Sequence, residues 1–292
     1  MKPCSDGWGC TPSDRMKTAF SQAAVHYDEA AVLARETGRR MAARLEYIRL
    51  APARLADIGC ATGDGVRLLM QRYPAVLPLA VDHSLDMLHQ VRGQNTLVQR
   101  LMRRGVRLLQ ADARALPLAT ASLDFIWSNL MLHWLDDPLP ALREMHRTLA
   151  TDGLLMFALF GPDTLKELRE ACVTCGIAPP LRSFHDMHDI GDMLLAAGFA
   201  DPVMDMEMLT MTYSGGRSFL RDQRHLGVRD GLLGQLPWRD WRRVFAAHAR
   251  RYAGGALPMC FEIVYGHAWK PAPRLTEAGH HIISIEPRRG AG

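Results

Sequence analysis

The stretch LADIGCATGDG at residues 55–65 decides the fold. A short apolar run ends in Asp57, and glycines follow at positions 59, 63 and 65. A run of this length is typical of a buried strand, and residues 64–72 then follow a helical pattern. Glycine permits a positive φ in a tight bend and lets a ligand approach the backbone closely. We therefore predict a strand, a glycine turn and a helix, with a site for a polar ligand where the strand ends.

The same rhythm continues through the first half of the chain. Further short apolar runs lie at residues 76–81, 106–109, 123–127 and 154–160, and helical patterns at 84–92 and 139–149 separate most of them. Strands that alternate with helices indicate a parallel sheet covered on both faces. The prediction is a doubly wound α/β domain spanning residues 13–292, preceded by a flexible leader at 1–12. Residues 13–47 are helical in pattern, and we expect residues 13–50 to form a lid.

Two ligand classes compete for the glycine turn. A dinucleotide fingerprint that starts at Gly59 needs glycine at positions 61 and 64, where the chain has Ala61 and Asp64. The pattern acid-x-Gly-x-Gly-x-Gly fits better, since Asp57, Gly59 and Gly63 match and only Ala61 departs. This second pattern resembles motif I of the class I S-adenosylmethionine-dependent methyltransferases, a Rossmann-like family. We expect Ala61 to be tolerated if it keeps a negative φ.

Polar residues follow the later strands as well. Asp82 ends the second predicted strand, Asp112 follows the third and Asn129 the fourth. An acid at the position of Asp82 can accept both ribose hydroxyls of an adenosine, although an aspartate at a strand end also caps helices. The resemblance implies that Asp112 binds the adenine amino group and that Asn129 lies at the methyl-transfer face. The full predicted cofactor set is Asp57, Gly59, Cys60, Ala61, Gly63, Asp82, His83, Asp112, Ala113, Asn129 and Tyr27.

From about residue 13 onward the chain resembles one family, the malonyl-[acyl-carrier protein] O-methyltransferases (BioC) of biotin synthesis. The resemblance is carried by AFSQAAVHYDEAAVLARE at 19–36, by the segment from SNLMLHW to LKELR at 128–169, and by FEIVYGHAWKP at 261–271. Ala61 and Thr151-Asp152-Gly153 depart from the usual pattern. The middle and end are also similar to complex I assembly factors with a methyltransferase fold, but those lack the Tyr-Asp pair that this chain has at residues 27–28. A methyltransferase for another small molecule is a further alternative.

The resemblance implies methyl transfer from S-adenosylmethionine to the free carboxylate of malonyl-[acyl-carrier protein] or malonyl-CoA. A carboxyl group with an ordinary pKa near 4 is already ionised at neutral pH, so we predict no catalytic base. The enzyme then acts by positioning alone. Tyr27 is a candidate to reach the cofactor or substrate from the lid, and His133 a candidate to touch the substrate. Each of the two is equally well explained as a packed side chain.

An arginine-rich segment separates the last two predicted strands, at residues 202–213 and 259–269. Residues 214–257 hold nine arginines and three aspartates, a net charge of +6, whereas the whole chain carries +4. We predict a basic helical insertion that docks an acidic acyl carrier protein bearing malonyl-phosphopantetheine, through Arg221, Arg242 and Arg243. A solvated basic face is the alternative.

Composition excludes several other classes of protein. The net charge of the 292-residue chain is too small to indicate nucleic-acid binding, and no apolar run approaches the roughly 18 residues of a membrane span. Six cysteines without regular spacing are typical of reduced thiols, so we predict a cytoplasmic protein. We predict no metal site, because Cys172 and Cys175 have no second pair and the polar residues 185–189 suit a helix cap.

Overall fold

The computed structural model describes residues 12–93, 105–252 and 256–273. Its seven strands form one sheet in the order β3-β2-β1-β4-β5-β7-β6. The strands are β1 (Leu55–Ile58), β2 (Leu79–Asp82), β3 (Arg107–Gln110), β4 (Leu123–Asn129), β5 (Leu149–Phe160), β6 (Ala200–Tyr213) and β7 (Leu257–Trp269). The first five pair in parallel, and β7 runs antiparallel between β5 and β6. The predicted doubly wound α/β architecture is confirmed.

Helices cover both faces of this sheet. In chain order they are α1 (Pro12–Ala23), α2 (Tyr27–Ala30), α3 (Val32–Arg44), α4 (Asp64–Arg72), α5 (Leu85–Gly93), α6 (Leu139–Thr148), α7 (Lys166–Thr174), α8 (Met187–Ala196), α9 (Gly216–His225), α10 (Arg229–Leu233) and α11 (Trp238–Ala249). Alternate residues of β4 enter opposite layers of the core. Phe125 and Trp127 pack in one cluster and Ile126 in the other, so both faces of the central strand are buried.

The N-terminal segment is helical, as its sequence pattern predicts. It forms α1, α2, α3 and a 3-10 turn at Leu45–Tyr47, because the chain bends at residues 24–26. The bend lets α1 contact α5, and the hydroxyl of Ser21 lies 2.9 Å from that of Ser84, the residue before α5. Helix α3 buries Met41 in the core. The predicted leader falls almost entirely on residues 1–11, which lie outside the described part of the chain.

Strand β5 begins earlier than predicted. We expected a helix through residue 149 and a strand from residue 154, but β5 starts at Leu149 and bulges at residues 151–153. Asp152 adopts φ +59, and its backbone N–H donates to the carbonyl of Lys270 at 2.9 Å. The ammonium of Lys270 donates to the Leu149 carbonyl at 2.7 Å, so the end of β7 stabilises the bulge. The helical periodicity of the sequence continues through residue 149, so it gave no sign that β5 begins there.

The predicted helical insertion is present between β6 and β7, where it forms α9, α10 and α11. Trp241, Val244 and Phe245 of α11 are buried in the larger core cluster. Gly216 at the start of α9 has no room for a Cβ atom, which would lie 2.1 Å from Cδ2 of Phe245. The insertion therefore packs tightly onto the sheet domain. Its flanking strands start at Ala200 and Leu257, each two residues before the predicted position.

Candidate active site

A cavity of about 220 Å³ lies at the carboxyl ends of β1, β2 and β4. Its floor is the turn after β1, and its walls come from the ends of the neighbouring strands. Residues of α1, α2 and α3 close it from one side, and Gln223, Leu226 and Val228 of the insertion close it from another. Carboxyl ends of parallel strands meet at one edge of a sheet, which explains why residues so far apart in the chain share one cavity.

The glycine turn brings backbone close to this cavity. The backbone N–H groups of Gly59 and Cys60 both donate to the carbonyl of Val81, at 2.8 and 3.0 Å, which ties the turn to β2. Gly59 and Gly63 adopt φ values of +81 and +90. A Cβ on Gly59 would lie 2.3 Å from Cγ of Met131, and one on Gly65 would lie 2.4 Å from Oδ2 of Asp57. Glycine is therefore required at 59 by space as well as by conformation, and at 65 by space alone.

The backbone conformation of Ala61 differs from our expectation. The sequence-based expectation was a negative φ, but the residue adopts φ +45, in the left-handed region. The conformation is imposed by the turn, because the backbone N–H of Ala61 must point at Oδ2 of Asp82, 2.9 Å away. A left-handed alanine costs roughly 1–2 kcal/mol, which neighbouring contacts can offset. Alanine at this position is thus accommodated with strain.

The carboxyl groups of Asp57 and Asp82 lie at the base of the cavity and have little contact with solvent. Asp57 is 2% exposed, and this burial, with the neighbouring charge of Asp82, raises the pKa of the Asp57 carboxyl to about 8. Burial also raises the pKa of Asp82, although backbone N–H groups of Ser84 and Ala61 hydrogen-bond its carboxylate and act in the opposite direction. Buried carboxyl groups with so few cationic neighbours are typical of sites that receive a cation or several hydroxyls from a ligand.

The structure places the other predicted cofactor residues around the same cavity, which His83, Ala113 and Asn129 line. Asp112 also lines it, but Arg114 forms an ion pair with its carboxylate at 2.7 Å and holds the pKa of Asp112 below its usual value. An adenine amino group would share those oxygens with the guanidinium. Asn129 donates from Nδ2 to the carbonyl of Ala34 at 2.9 Å, and its buried Oδ1 has no partner within the described residues.

Tyr27 begins α2 and lines the cavity on its cofactor side. Burial raises the pKa of its phenol, and the charges of Asp82, Asp64 and Asp28 add to the rise. Thr62 connects the same helix to the glycine turn, because its hydroxyl donates to Oδ1 of Asp28 at 2.5 Å. Sequence reasoning missed Thr62 and Ser84, since nothing in the chain pairs position 62 with 28 or 84 with 21.

Aromatic and basic residues form the far wall. His133 and Trp134 lie in a 3-10 turn after β4, and the ring of His133 stacks on Phe160 with centroids 4.2 Å apart. Arg182 donates from Nε to the carbonyl of His133 at 3.2 Å and pairs with Asp136 at 2.9 Å. Arg182 and Gln223 were not predicted, because neither belongs to a recognisable motif; only the fold brings them to the cavity.

The three predicted docking arginines lie outside the cavity and are exposed. Arg221 is on α9, near Glu29 of α2, whereas Arg242 and Arg243 are on α11. Arg243 donates to the carbonyl of Cys175 at 3.1 Å, just after α7. Arg221 therefore lies at one place on the insertion, and Arg242 and Arg243 lie at another.

The polar residues at 185–189 cap α8 as expected. Asp186 accepts from the backbone N–H of His188 at 2.8 Å, and the carboxylate of Asp189 completes a capping box. Cys172 and Cys175 are free thiols. In the part of the chain that the structure describes, no three His, Cys, Asp or Glu residues come together as metal ligands.

Comparisons with known proteins agree with this geometry. Residues 56–157 match the family described as "Methyltransferase domain". The YcgJ protein from Bacillus subtilis has a similar structure, with a TM-score of 0.57 and 17% identity, over 81% of this chain and 99% of that one. A putative methyltransferase (BH2331) from Bacillus halodurans gives 0.55 and 15%, over 79% and 99%. These two likenesses show the fold.

Sequence relatives show the family. The malonyl-[acyl-carrier protein] O-methyltransferase of Gallionella capsiferriformans is 47% identical over 277 residues, 92% of this chain and 94% of the relative. That of Laribacter hongkongensis is 44% identical over 291 residues, 96% and 98%. The chain belongs to the malonyl-[acyl-carrier protein] O-methyltransferase family. The same comparisons favour this family over the complex I assembly factors that its middle and end also resemble.

The cofactor of this methyltransferase fold is S-adenosylmethionine, and the residues of the cavity fit it. The buried carboxyl of Asp57 would suit the ammonium group, and Asp82, which lines the same cavity, would suit the ribose hydroxyls. The absence of a side chain at Gly65 lets the helix that follows the turn begin directly against the carboxyl of Asp57. A sulfonium ligand carries no phosphate, which explains why acids rather than a phosphate-binding nest surround the turn.

Proposed function

We propose that this protein transfers a methyl group from S-adenosylmethionine to the free carboxylate of malonyl-[acyl-carrier protein]. The observation that carries the proposal is the 47% identity to a family member over 92% of the chain, joined to a cavity with buried acids at the glycine turn. The product is a malonyl methyl ester thioester, and its masked carboxylate suits the first step of pimeloyl synthesis for biotin. We place the reaction in the cytoplasm, in keeping with the free thiols of the described residues.

The proposed reaction needs orientation more than acid or base chemistry. S-Adenosylmethionine supplies an electrophilic methyl group on a positively charged sulfur. A malonyl carboxylate oxygen forms the new C–O bond while the S–C bond breaks and its electron pair stays on sulfur. No proton moves, so the protein has to hold the carboxylate in line with the S–CH3 bond at about 3 Å from the methyl carbon. Trp134 and Phe160 line the cavity with aromatic surface, which would keep water away from the reacting groups.

Closure of the cavity by the N-terminal helices supports a lid at residues 13–50. Ala19 of α1 packs against the insertion, where a Cβ on Gly227 would lie 2.8 Å from its carbonyl oxygen. The other side of α1 contacts α5, and Ser21 of α1 hydrogen-bonds Ser84 just before α5. We propose that α1 and α2 open to admit S-adenosylmethionine and close over it before methyl transfer.

The partner in this proposal is an acidic acyl carrier protein, and the insertion would receive it. Arginine pairs well with carboxylates and with the phosphate of phosphopantetheine. Reversing charge at Arg221, Arg242 and Arg243 together should raise KM for the carrier-bound substrate by at least about 10-fold, while the Kd of S-adenosylmethionine stays unchanged. The matched control is Arg107→Glu, an exposed arginine of β3 at the opposite edge of the sheet. An equal KM in the triple variant and the control would contradict docking there.

A second methyl acceptor, such as another small molecule, remains the alternative function. Growth of a biotin-requiring strain that lacks this methyltransferase separates the two. The wild-type chain should restore growth without biotin, and an Asp82→Ala variant that folds should not. Failure of the wild-type chain to restore growth, with the protein present and binding S-adenosylmethionine, would contradict the malonyl substrate.

No helix in the described residues has the length and apolar character to cross a membrane.

A further inference from the structure

A second cavity, of about 360 Å³, adjoins the cofactor cavity. The two share His133, Leu135, Asp136, Phe160 and Arg182, so His133 lies at their junction. The walls that belong to the second cavity alone are largely apolar and include Leu159, Phe184 and Ile190. An acyl group in the second cavity would therefore lie next to His133.

The protonation of this imidazole is fixed by its neighbours. His133 is 6% exposed, and its Nδ1 accepts the backbone N–H of Phe160 at 3.2 Å. An acceptor nitrogen carries no proton, so in the neutral ring the proton is on Nε2. The ring cannot turn freely, because it stacks on Phe160 at 4.2 Å and meets the edge of Phe184 at 5.5 Å.

The Nε2–H group is a buried donor without a hydrogen-bond partner in the described residues. Leaving such a donor unpaired is unfavourable, and buried polar groups in native proteins are almost always satisfied. The charged groups around the ring are Arg182, which donates to the carbonyl of His133, and Asp136, which pairs with Arg182. Burial, with the charge of Arg182, holds the pKa of His133 well below its usual value, so the ring presents a neutral donor.

We propose that Nε2–H of His133 donates a hydrogen bond to one oxygen of the malonyl carboxylate and thereby aims the other oxygen at the methyl donor. The inference rests on the proposed function and deepens it, since it names the residue that selects a free carboxylate. A neutral donor suits this reaction. A cation in contact with the carboxylate would stabilise the anion in the ground state more than in the transition state, where its charge is being lost.

Two substitutions separate the two nitrogens of the ring. His133→Asn places a carbonyl oxygen near the position of Nδ1 and can still accept from Phe160, but it has no group at Nε2. His133→Gln places its amide nitrogen near Nε2 and can still donate, but it loses the acceptor at Nδ1. We expect His133→Asn to lower kcat/KM for malonyl-[acyl-carrier protein] by about 10- to 100-fold, and His133→Gln to retain most of it.

The two variants should rank in the reverse order for thermal stability. His133→Gln leaves the N–H of Phe160 without its acceptor, so its Tm should fall further than that of His133→Asn. Both variants should bind S-adenosylmethionine with a Kd within about 2-fold of wild type, measured by calorimetry, because His133 lies on the far wall. A merely structural histidine would instead lose activity and Tm together.

Three results would overturn the inference. The first is wild-type kcat/KM in His133→Asn, and the second is an equal loss of kcat/KM in both variants. The third is a loss of S-adenosylmethionine affinity as large as the loss of kcat/KM. In each case an active wild type leaves the proposed function standing. A folded wild type that binds S-adenosylmethionine but does not act on malonyl-[acyl-carrier protein] would overturn the proposed function, and this inference with it.

Discussion

Asp57 lowers the stability of the ligand-free protein at neutral pH. Its carboxyl is buried beside Asp82, and its pKa is raised from 3.8 to about 8. The folded protein therefore holds this proton more tightly than the unfolded chain does. The stabilisation from protonated Asp57 is complete below pH 3.8 and is lost as the pH rises through about 8. At neutral and alkaline pH the ligand-free protein is less stable than it would be with a neutral side chain here.

The first prediction follows from this linkage. Asp57→Asn should have a higher Tm than wild type without ligand at pH 8, and the difference should narrow at pH 5, since asparagine has no proton to lose. Its affinity for S-adenosylmethionine should fall by more than about 10-fold, because the ammonium group loses its carboxylate. Thermal unfolding by circular dichroism and calorimetry would measure the two effects. The control is Asp192→Asn, an exposed aspartate of α8, and equal Tm values for both variants at pH 8 would contradict the account.

Cofactor binding itself should release a proton. An ammonium group beside Asp57 favours the carboxylate form, so binding near pH 7 should expel close to one proton. Calorimetry in two buffers of different ionisation enthalpy measures this number directly. A binding enthalpy that does not depend on the buffer would show that Asp57 is already ionised or does not meet the ammonium group.

Gly65 tests the close approach of backbone and acid. Alanine there would push a Cβ atom to within 2.4 Å of Oδ2 of Asp57 and 2.8 Å of Nε1 of Trp127. We expect Gly65→Ala to weaken S-adenosylmethionine binding by at least about 10-fold, measured by calorimetry, because the carboxyl must shift. Gly191→Ala is the matched control. This glycine is also in a helix, and no atom lies within 4 Å of the Cβ that it would gain. Unchanged affinity in Gly65→Ala would contradict this role for the turn.

Among elements, α2 and the glycine turn are joined by one short hydrogen bond, from Thr62 to Asp28. Thr62→Val keeps the shape of the side chain and removes the donor. If α1 and α2 form a lid, the Kd of S-adenosylmethionine should rise by roughly 3- to 30-fold, because a bond to a charged acceptor is lost. Calorimetry would measure it. Thr174→Val, which removes a hydroxyl that bonds within α7, should leave that Kd unchanged. The lid would be contradicted if both variants bind as tightly as wild type.

Periodicity in the sequence was sufficient for most elements. Helix α4 has the predicted bounds, and β1, β2, β3 and β4 lie within three residues of theirs, because buried strands and amphipathic helices have different spacings. The bend at residues 24–26 and the bulge at 151–153 could not be predicted, since each depends on a distant partner, Ser84 for α1 and Lys270 for β5. Local pattern carries no information about such contacts.

Site residues that belong to a sequence motif could be predicted, whereas those that only the fold brings to the cavity could not. Asp57 and Asp82 could be placed because acids at successive strand ends meet at one edge. The positive φ of Ala61 is set by its hydrogen bond to Asp82, and the identity of the residue alone does not reveal that bond. Arg182 reaches the cavity only because the loop before α8 folds back onto the turn that holds His133.

At the scale of the whole molecule, three segments far apart in the chain enclose one cavity. The rim of the sheet supplies the acids, α1 and α2 cover them, and the insertion between β6 and β7 adds Gln223 and Leu226 to the wall. The insertion also carries a net charge of +6 in a chain whose total is +4, so the remainder is slightly negative. Positive charge is thus concentrated on the element that borders the cavity, where a carrier protein would deliver its acyl group.

Intact-mass analysis of the acyl carrier protein tests the central claim most directly. Malonyl-[acyl-carrier protein] incubated with this protein and S-adenosylmethionine should gain the mass of one methylene unit. Acetyl-[acyl-carrier protein], which lacks the free carboxylate, should keep its mass under the same conditions. An unchanged malonyl carrier in the presence of bound S-adenosylmethionine, or methylation of the acetyl carrier, would contradict the account.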